Sequence, residues 1–177
     1  MNLKHYLPIV LLAPVLAFAQ AKGPSDPQIA HIVVTANQID VDAGKIAKSK
    51  SKNKEVQAFA QQMITDHTAV NKQAAALAKK LGVKPEDNDT SKSLKKGAAD
   101  NVANLKKLSG AQFDKAYVGH EVAYHQAVLD AIDKVLVPSA QNAELKGLIE
   151  KVRPAFQAHL DHAKHLQGNL GKNAGKK

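Results

Sequence analysis

The sequence predicts an all-α protein: an antiparallel four-helix bundle with an extra short helix between the second and third long helices. Three observations carry that expectation. Ala, Lys, Gln and Leu dominate while aromatic residues make up only 4%, a balance that favours helix over strand. Apolar residues recur at three-four spacing over long stretches, the period of a helix with one buried face. Capping residues, glycines and prolines divide those stretches into units of bundle length.

The first helix opens at Ser25-Asp26-Pro27, a cap followed by proline in the first turn, and runs to about Lys50. Its inward seam reads Ile29, Val33, Ala36, Asp40, Ala43 and Ala47. The second runs from about Asn53 to Leu81 and stops at Gly82, a natural helix terminator. Its seam is Val56, Ala60, Met63, His67, Val70, Ala74, Leu77 and Leu81. A polar loop from Lys84 to Thr90 leads into a weak helix over residues 92–108.

Ser109, with Gln112 three residues on, reads as a capping box for the third long helix, which ends before Pro138. Its seam is Val118, Val122, His125, Leu129, Ile132 and Leu136. The last helix extends from about Asn142 to Leu170 through Leu145, Ile149, Val152, Phe156, His159, Ala163, Leu166 and Leu170. Pro154 lies inside it and should kink or split it. Four such seams are most economically buried against one another, as one bundle domain over residues 26–170. The basic tail, residues 171–177, is expected to be disordered.

The N-terminus reads as a secretory signal peptide. A short basic start ending at Lys4 precedes an apolar run from Leu7 to Phe18, then Ala-x-Ala patterns at Ala17–Ala19 and Ala19–Ala21. The run is about a dozen residues, against the roughly 20 needed to span a bilayer. Residues 1–21 are expected to be removed, leaving a periplasmic or secreted chain that begins at Gln20 or Lys22. No later stretch is apolar enough to cross a membrane. The chain has no cysteine, which excludes a lipid-anchored start, thiolate metal sites and disulfides.

The formal charge is +9, and lysine supplies nearly all of it, because Arg153 is the single arginine. Specific nucleic-acid binders combine arginine forks with aromatic platforms, and both are missing here. A lysine-coated surface fits a solvated exterior with loose attraction to anionic envelope polymers. Nucleophile-elbow, P-loop, dinucleotide-binding and HExxH patterns are absent, so the sequence predicts no enzyme.

The seams carry one polar interruption each: Asp40, His67, His125 and His159. Each falls near the middle of its helix, so side-by-side packing brings them to one level. Three imidazoles and a carboxylate in a bundle core make a transition-metal site of zinc, copper or iron type. Asp66 and Glu121 are placed to orient the rings, and Met63, one turn before His67, would suit copper. The competing expectation is a hydrogen-bonded polar layer in which the rings face Asp40, Tyr117 or Tyr124 without a metal. His31 and His165 fall off the apolar faces, and His120 lies among aromatic residues. His159, His162 and His165 have ligand-like spacing, but only His159 faces inward. Glu121 and His125 are four apart, so the Glu-x-x-His pairs of di-iron bundles are missing.

Several segments resemble one bacterial family. These are Asp40–Ala47, Asn53–Ala60, Met63, Asp66-His67-Thr68, Leu108–Asp114, Tyr117, His125 and Arg153–Leu160. Their order and spacing are similar to the family called domain of unknown function 4142. The resemblance implies an exported, ferritin-like helical bundle without an established activity. It maps that family's recurring acidic and histidine positions onto Asp40, Asp42, Asp66, His67, His125 and His159. Asp40 and Asp42 stand where the family usually has the longer glutamate.

Overall fold

The computed structural model describes residues 23–174; the signal peptide expected over residues 1–21 and the last three residues lie outside them. The described residues form α1 (Asp26–Lys50), α2 (Lys54–Leu81), α3 (Asp89–Lys107) and α4 (Gly110–Ala131). A π-helical turn (Ile132–Leu136), the three-residue α5 (Val137–Ser139) and α6 (Ala143–Ala174) complete the chain. No strand occurs among them. The all-α expectation holds, with five long helices packed antiparallel rather than four and a minor one. None of them is long and apolar enough to cross a membrane.

Helix boundaries follow local chemistry. Asn53 Oδ1 accepts from the backbone N–H of Glu55 at 2.9 Å and of Val56 at 3.4 Å, capping α2. Gly82 ends that helix at φ 65°, the left-handed conformation glycine adopts without a Cβ penalty. α3 is longer and better anchored than its composition suggests. Asn88 Oδ1 accepts from Ser91 N–H at 3.0 Å, and Ser91 Oγ accepts from Asn88 N–H at 3.0 Å.

Three local expectations are corrected. Ser109 precedes α4 but its side chain makes no capping bond; Gly110 at φ 55° turns the chain into the helix instead. The path does not stop before Pro138. Val137 N–H bonds Ile132 O, five residues back, and this π turn carries the chain past a residue that has no N–H to donate. Pro154 does not split the last helix, which is assigned continuously to Ala174. It lies on the exposed face, where water can satisfy the carbonyl that loses its donor.

The four seams are buried as expected, with Ala36, Leu77, Leu81, Val122 and Val152 half-buried. α1 is covered more broadly than its seam, because it packs against α2, α3 and α4. Asn37, Val41 and Gly44 are therefore buried as well. At Gly44 an added Cβ would lie 3.0 Å from Ala60 O and 3.0 Å from Ile64 Cγ1, so the missing side chain lets α1 and α2 approach closely. Two apolar clusters result. One contains Ile29, Val33, Leu129, Ile132, Ile149 and Phe156. The other contains Val56, Phe59, Met63, Phe113, Tyr117 and Leu166. The polar seam residues lie between them along each long helix.

Candidate metal centre in the bundle core

His67, His125 and His159 come from α2, α4 and α6, and each is buried to 2% exposure or less. Their ring centroids are 5.2 to 5.5 Å apart. One nitrogen from each lies within 4.8 Å of the others, and Asp40, Glu121 and His125 form a second such triad sharing His125. The level-packing expectation drawn from the seams is met: three helices bring three imidazoles to one place.

Neighbouring groups set the tautomer of each ring. Asn37 Nδ2 donates to Val33 O at 2.8 Å, so its Oδ1 faces His67 Nδ1 as an acceptor at 2.8 Å. His67 Nδ1 therefore carries the hydrogen, and Nε2 keeps its lone pair. His125 Nδ1 lies 3.0 Å from the backbone oxygen of Glu121, which can only accept, leaving the lone pair on Nε2. His159 Nε2 donates to Asp66 Oδ2 at 2.9 Å, leaving Nδ1. These three lone-pair nitrogens, His67 Nε2, His125 Nε2 and His159 Nδ1, find no hydrogen-bond partner, and neither do His31 Nδ1 and His120 Nε2 outside the trio. Buried polar atoms are rarely left so. Orienting one imidazole nitrogen through a carbonyl or carboxylate on the other is how metal-ligating histidines are held.

Electrostatics act in the same sense. Burial pushes His67 down to about 2 and His125 down to about 4, and it lowers His159 against the opposing pull of Asp66. All three are neutral at neutral pH, the form that can ligate. Asp40 and Glu121 are fully enclosed and face each other. Burial drives both carboxyls up, Glu121 to about 8, and the neighbouring Glu121 adds to the rise at Asp40. A carboxyl pair without a cation is thus held largely protonated, and a cation would let it ionise. The Tyr117 hydroxyl also lacks a partner and is pushed up by burial and by Glu121.

One spacing is already close to that of two ligands on a small divalent ion. Tetrahedral bonds of 2.0–2.1 Å to nitrogen and oxygen place ligand atoms about 3.3 Å apart. His67 Nε2 and Asp40 Oδ2 are already 3.6 Å apart. Glu121 approaches His125 from the other ring edge, with Oε2 3.4 Å from Nδ1. Asp40 is therefore the carboxylate on the lone-pair side of the histidine trio, and Glu121 stands behind it.

The residue roles sharpen accordingly. His67, His125 and His159 are brought together, and Asp40 adjoins them beside His67 as part of the second triad. Asp66 orients His159 rather than its chain neighbour His67. Asp42 turns outward, accepting from Gln38 Nε2 at 2.9 Å and Lys45 Nζ at 3.2 Å. Met63 packs in the aromatic cluster. His162 lies against Phe59 with its Nδ1 3.1 Å from Gln62 Oε1, and His165 is exposed, so neither joins the trio. His120 stacks on Tyr124 at 5.6 Å, and His31 is half-buried with its Nδ1 3.5 Å from Asp87. Tyr124 donates to Ala36 O at 3.1 Å rather than to a ring. Asn37, which fixes the His67 tautomer, was missed; its signal was its place one turn before Asp40.

The family described as Domain of unknown function (DUF4142) matches residues 13–166. The chain belongs to that family. The matched span includes every residue of the buried site from Asn37 to His159. No curated protein and no solved structure matches the chain. For this DUF4142 domain the chemistry must therefore be argued from the core itself.

Proposed function

We propose that this domain is an exported, periplasmic metal-binding bundle that holds one transition-metal ion on His67, His125, His159 and Asp40. The observation that carries this reading is the coincidence of three oriented lone pairs on three buried, partnerless ring nitrogens. A three-nitrogen, one-oxygen set suits zinc or copper(II), and iron less well without paired Glu-x-x-His motifs. Four protein ligands close a tetrahedral site, which fits binding or structural use rather than turnover. The Ala-x-Ala leader supports export, and a ferritin-like helix order would accommodate the same core layer.

The test is metal content of untagged protein purified from its native host, followed by zinc titration of the chelated protein by calorimetry. One ion per chain is expected, with release in acid, well below the ordinary histidine range, as protons compete for the buried imidazoles. His67→Ala and His125→Ala should lose binding, and His31→Ala should keep it. Retained stoichiometry in both core variants would overturn the site.

A second reading has its own support. The protonated Asp40 carboxyl, 3.6 Å from His67 Nε2, could donate to that ring after slight closure, making a metal-free polar layer that serves folding. Absence of zinc binding by the folded wild-type protein would favour it.

A further inference from the structure

The aliphatic half of the core holds a partly open cavity of about 150 Å³ between α1, α3, α4 with its π turn, and α6. We infer that it is a binding pocket for one compact, uncharged apolar molecule of about the size of an aromatic ring. The proposal stands apart from the metal reading. Ile32, Val128, Ile132, Ile149 and Val152 supply an almost wholly aliphatic wall. Asn37 and Tyr124, the buried and half-buried polar side chains that border it, are already committed elsewhere, and the third, Thr90, is turned to solvent at the rim. Tyr124 OH donates to Ala36 O, and Asn37 is held between Val33 O and His67. A charged or hydroxylated guest would thus lose its hydration without finding a partner.

Size and origin both favour an occupant. A dry apolar cavity of about 150 Å³ in a protein core takes up benzene or xenon, whereas a water there would lack its two to four polar partners. The π turn Ile132–Leu136 forms part of the wall, and such turns disturb regular packing and recur at functional sites. Leu94, on the loosely buried α3, closes one side. Only Ser91 and Leu105 of that helix are fully buried, so the wall most easily displaced is also the one nearest solvent. Phe156 separates the cavity from the histidines: it lines the pocket and stacks on His67 at 5.1 Å.

The experiment is a methyl-NMR titration of the full chain with benzene, and with phenol as a polar match. Benzene should give saturable ring-current shifts centred on the methyls of Ile32, Val128, Ile149 and Val152 and should raise the melting temperature. Phenol should bind at least about tenfold more weakly, because its hydroxyl has no partner. Ala131→Leu, which fills the cavity, should abolish the shifts; Val152→Phe fills it from the opposite wall if the first variant fails to fold. Benzene shifts that never saturate, or that fall equally on Met63 and the pocket methyls, would overturn the proposal. Phenol binding as tightly as benzene would do the same, as would undiminished benzene binding in a folded cavity-filled variant.

Discussion

The core on one side of the histidine layer is tight and aromatic, and on the other it is aliphatic and hollow. On the closed side, Phe59, Phe113 and Tyr117 meet with centroids 6.2 to 6.4 Å apart, and Gly44 brings α1 against α2. On the open side a cavity of about 150 Å³ lies among Ile, Val and Leu side chains. The difference teaches where a bundle can hold an unfavourable polar layer. Dense aromatic packing on one side supplies the burial energy that partnerless nitrogens and enclosed carboxyls remove. The other side keeps room.

The largest expected effect separates the two halves by stability. Phe59→Ala should cost about 3–5 kcal/mol, because its fully buried ring has close neighbours on all sides. Val152→Ala borders existing space and should cost less than about 1 kcal/mol. Equal shifts in urea unfolding would break the comparison.

The layer itself should register in the pH dependence of the metal-free protein. The histidines are depressed on folding, so the folded state binds fewer protons below about 6.5 and stability falls as pH drops from there. Asp40 and Glu121 are raised, so the folded state binds more protons above about 4.5, and stability falls as pH climbs toward the Glu121 value of about 8. Where the windows overlap, three histidines outweigh two carboxyls, which puts the maximum near pH 6.5. Each uncompensated proton contributes about 1.4 kcal/mol per pH unit. Glu121→Gln should flatten the alkaline limb in urea unfolding with chelator present. An unchanged limb would show that Glu121 is not held protonated.

Smaller effects refine the picture. Asp66→Asn keeps an acceptor for His159 but weakens it, and should reduce zinc affinity about tenfold while leaving the fold intact. Unchanged affinity by calorimetry would remove Asp66 from the site. Gly44→Ala gains helix propensity of about 1 kcal/mol but meets the Ala60 carbonyl, and overpacking costs about 1–3 kcal/mol. A net loss near 1 kcal/mol is expected from thermal unfolding; a gain would mean the two helices can separate freely.

The seams were legible because α2, α4 and α6 each bury a single stripe, and one stripe at three-four spacing carries His67, His125 and His159 inward with it. α1 was harder to read. Covered on several flanks, it buries Asn37 off the seam against His67 of α2, a contact invisible to a period taken from one face. Glu121 was noticed as a neighbour of His125, but its pairing with Asp40 depends on how α4 faces α1. The π turn escaped because Pro138 signals an end to regular bonding, and sequence alone does not say that the chain will widen one turn and continue.

Asp26 ties the start of α1 to the connection that leads into α6. Its carboxylate accepts the backbone N–H of Gln141 and of Asn142, each at 2.9 Å and more than a hundred residues along the chain. α1 and α2 are joined by only three residues and can pair as soon as both exist, but this clasp must wait until synthesis has reached α6. Its loop closure is among the longest in the domain and carries a correspondingly large entropic cost. The first turn of α1, which Glu86 N–H already tethers through Pro27 O at 3.0 Å, is thus fastened a second time late, and a nascent chain halted before Gln141 lacks that second clasp.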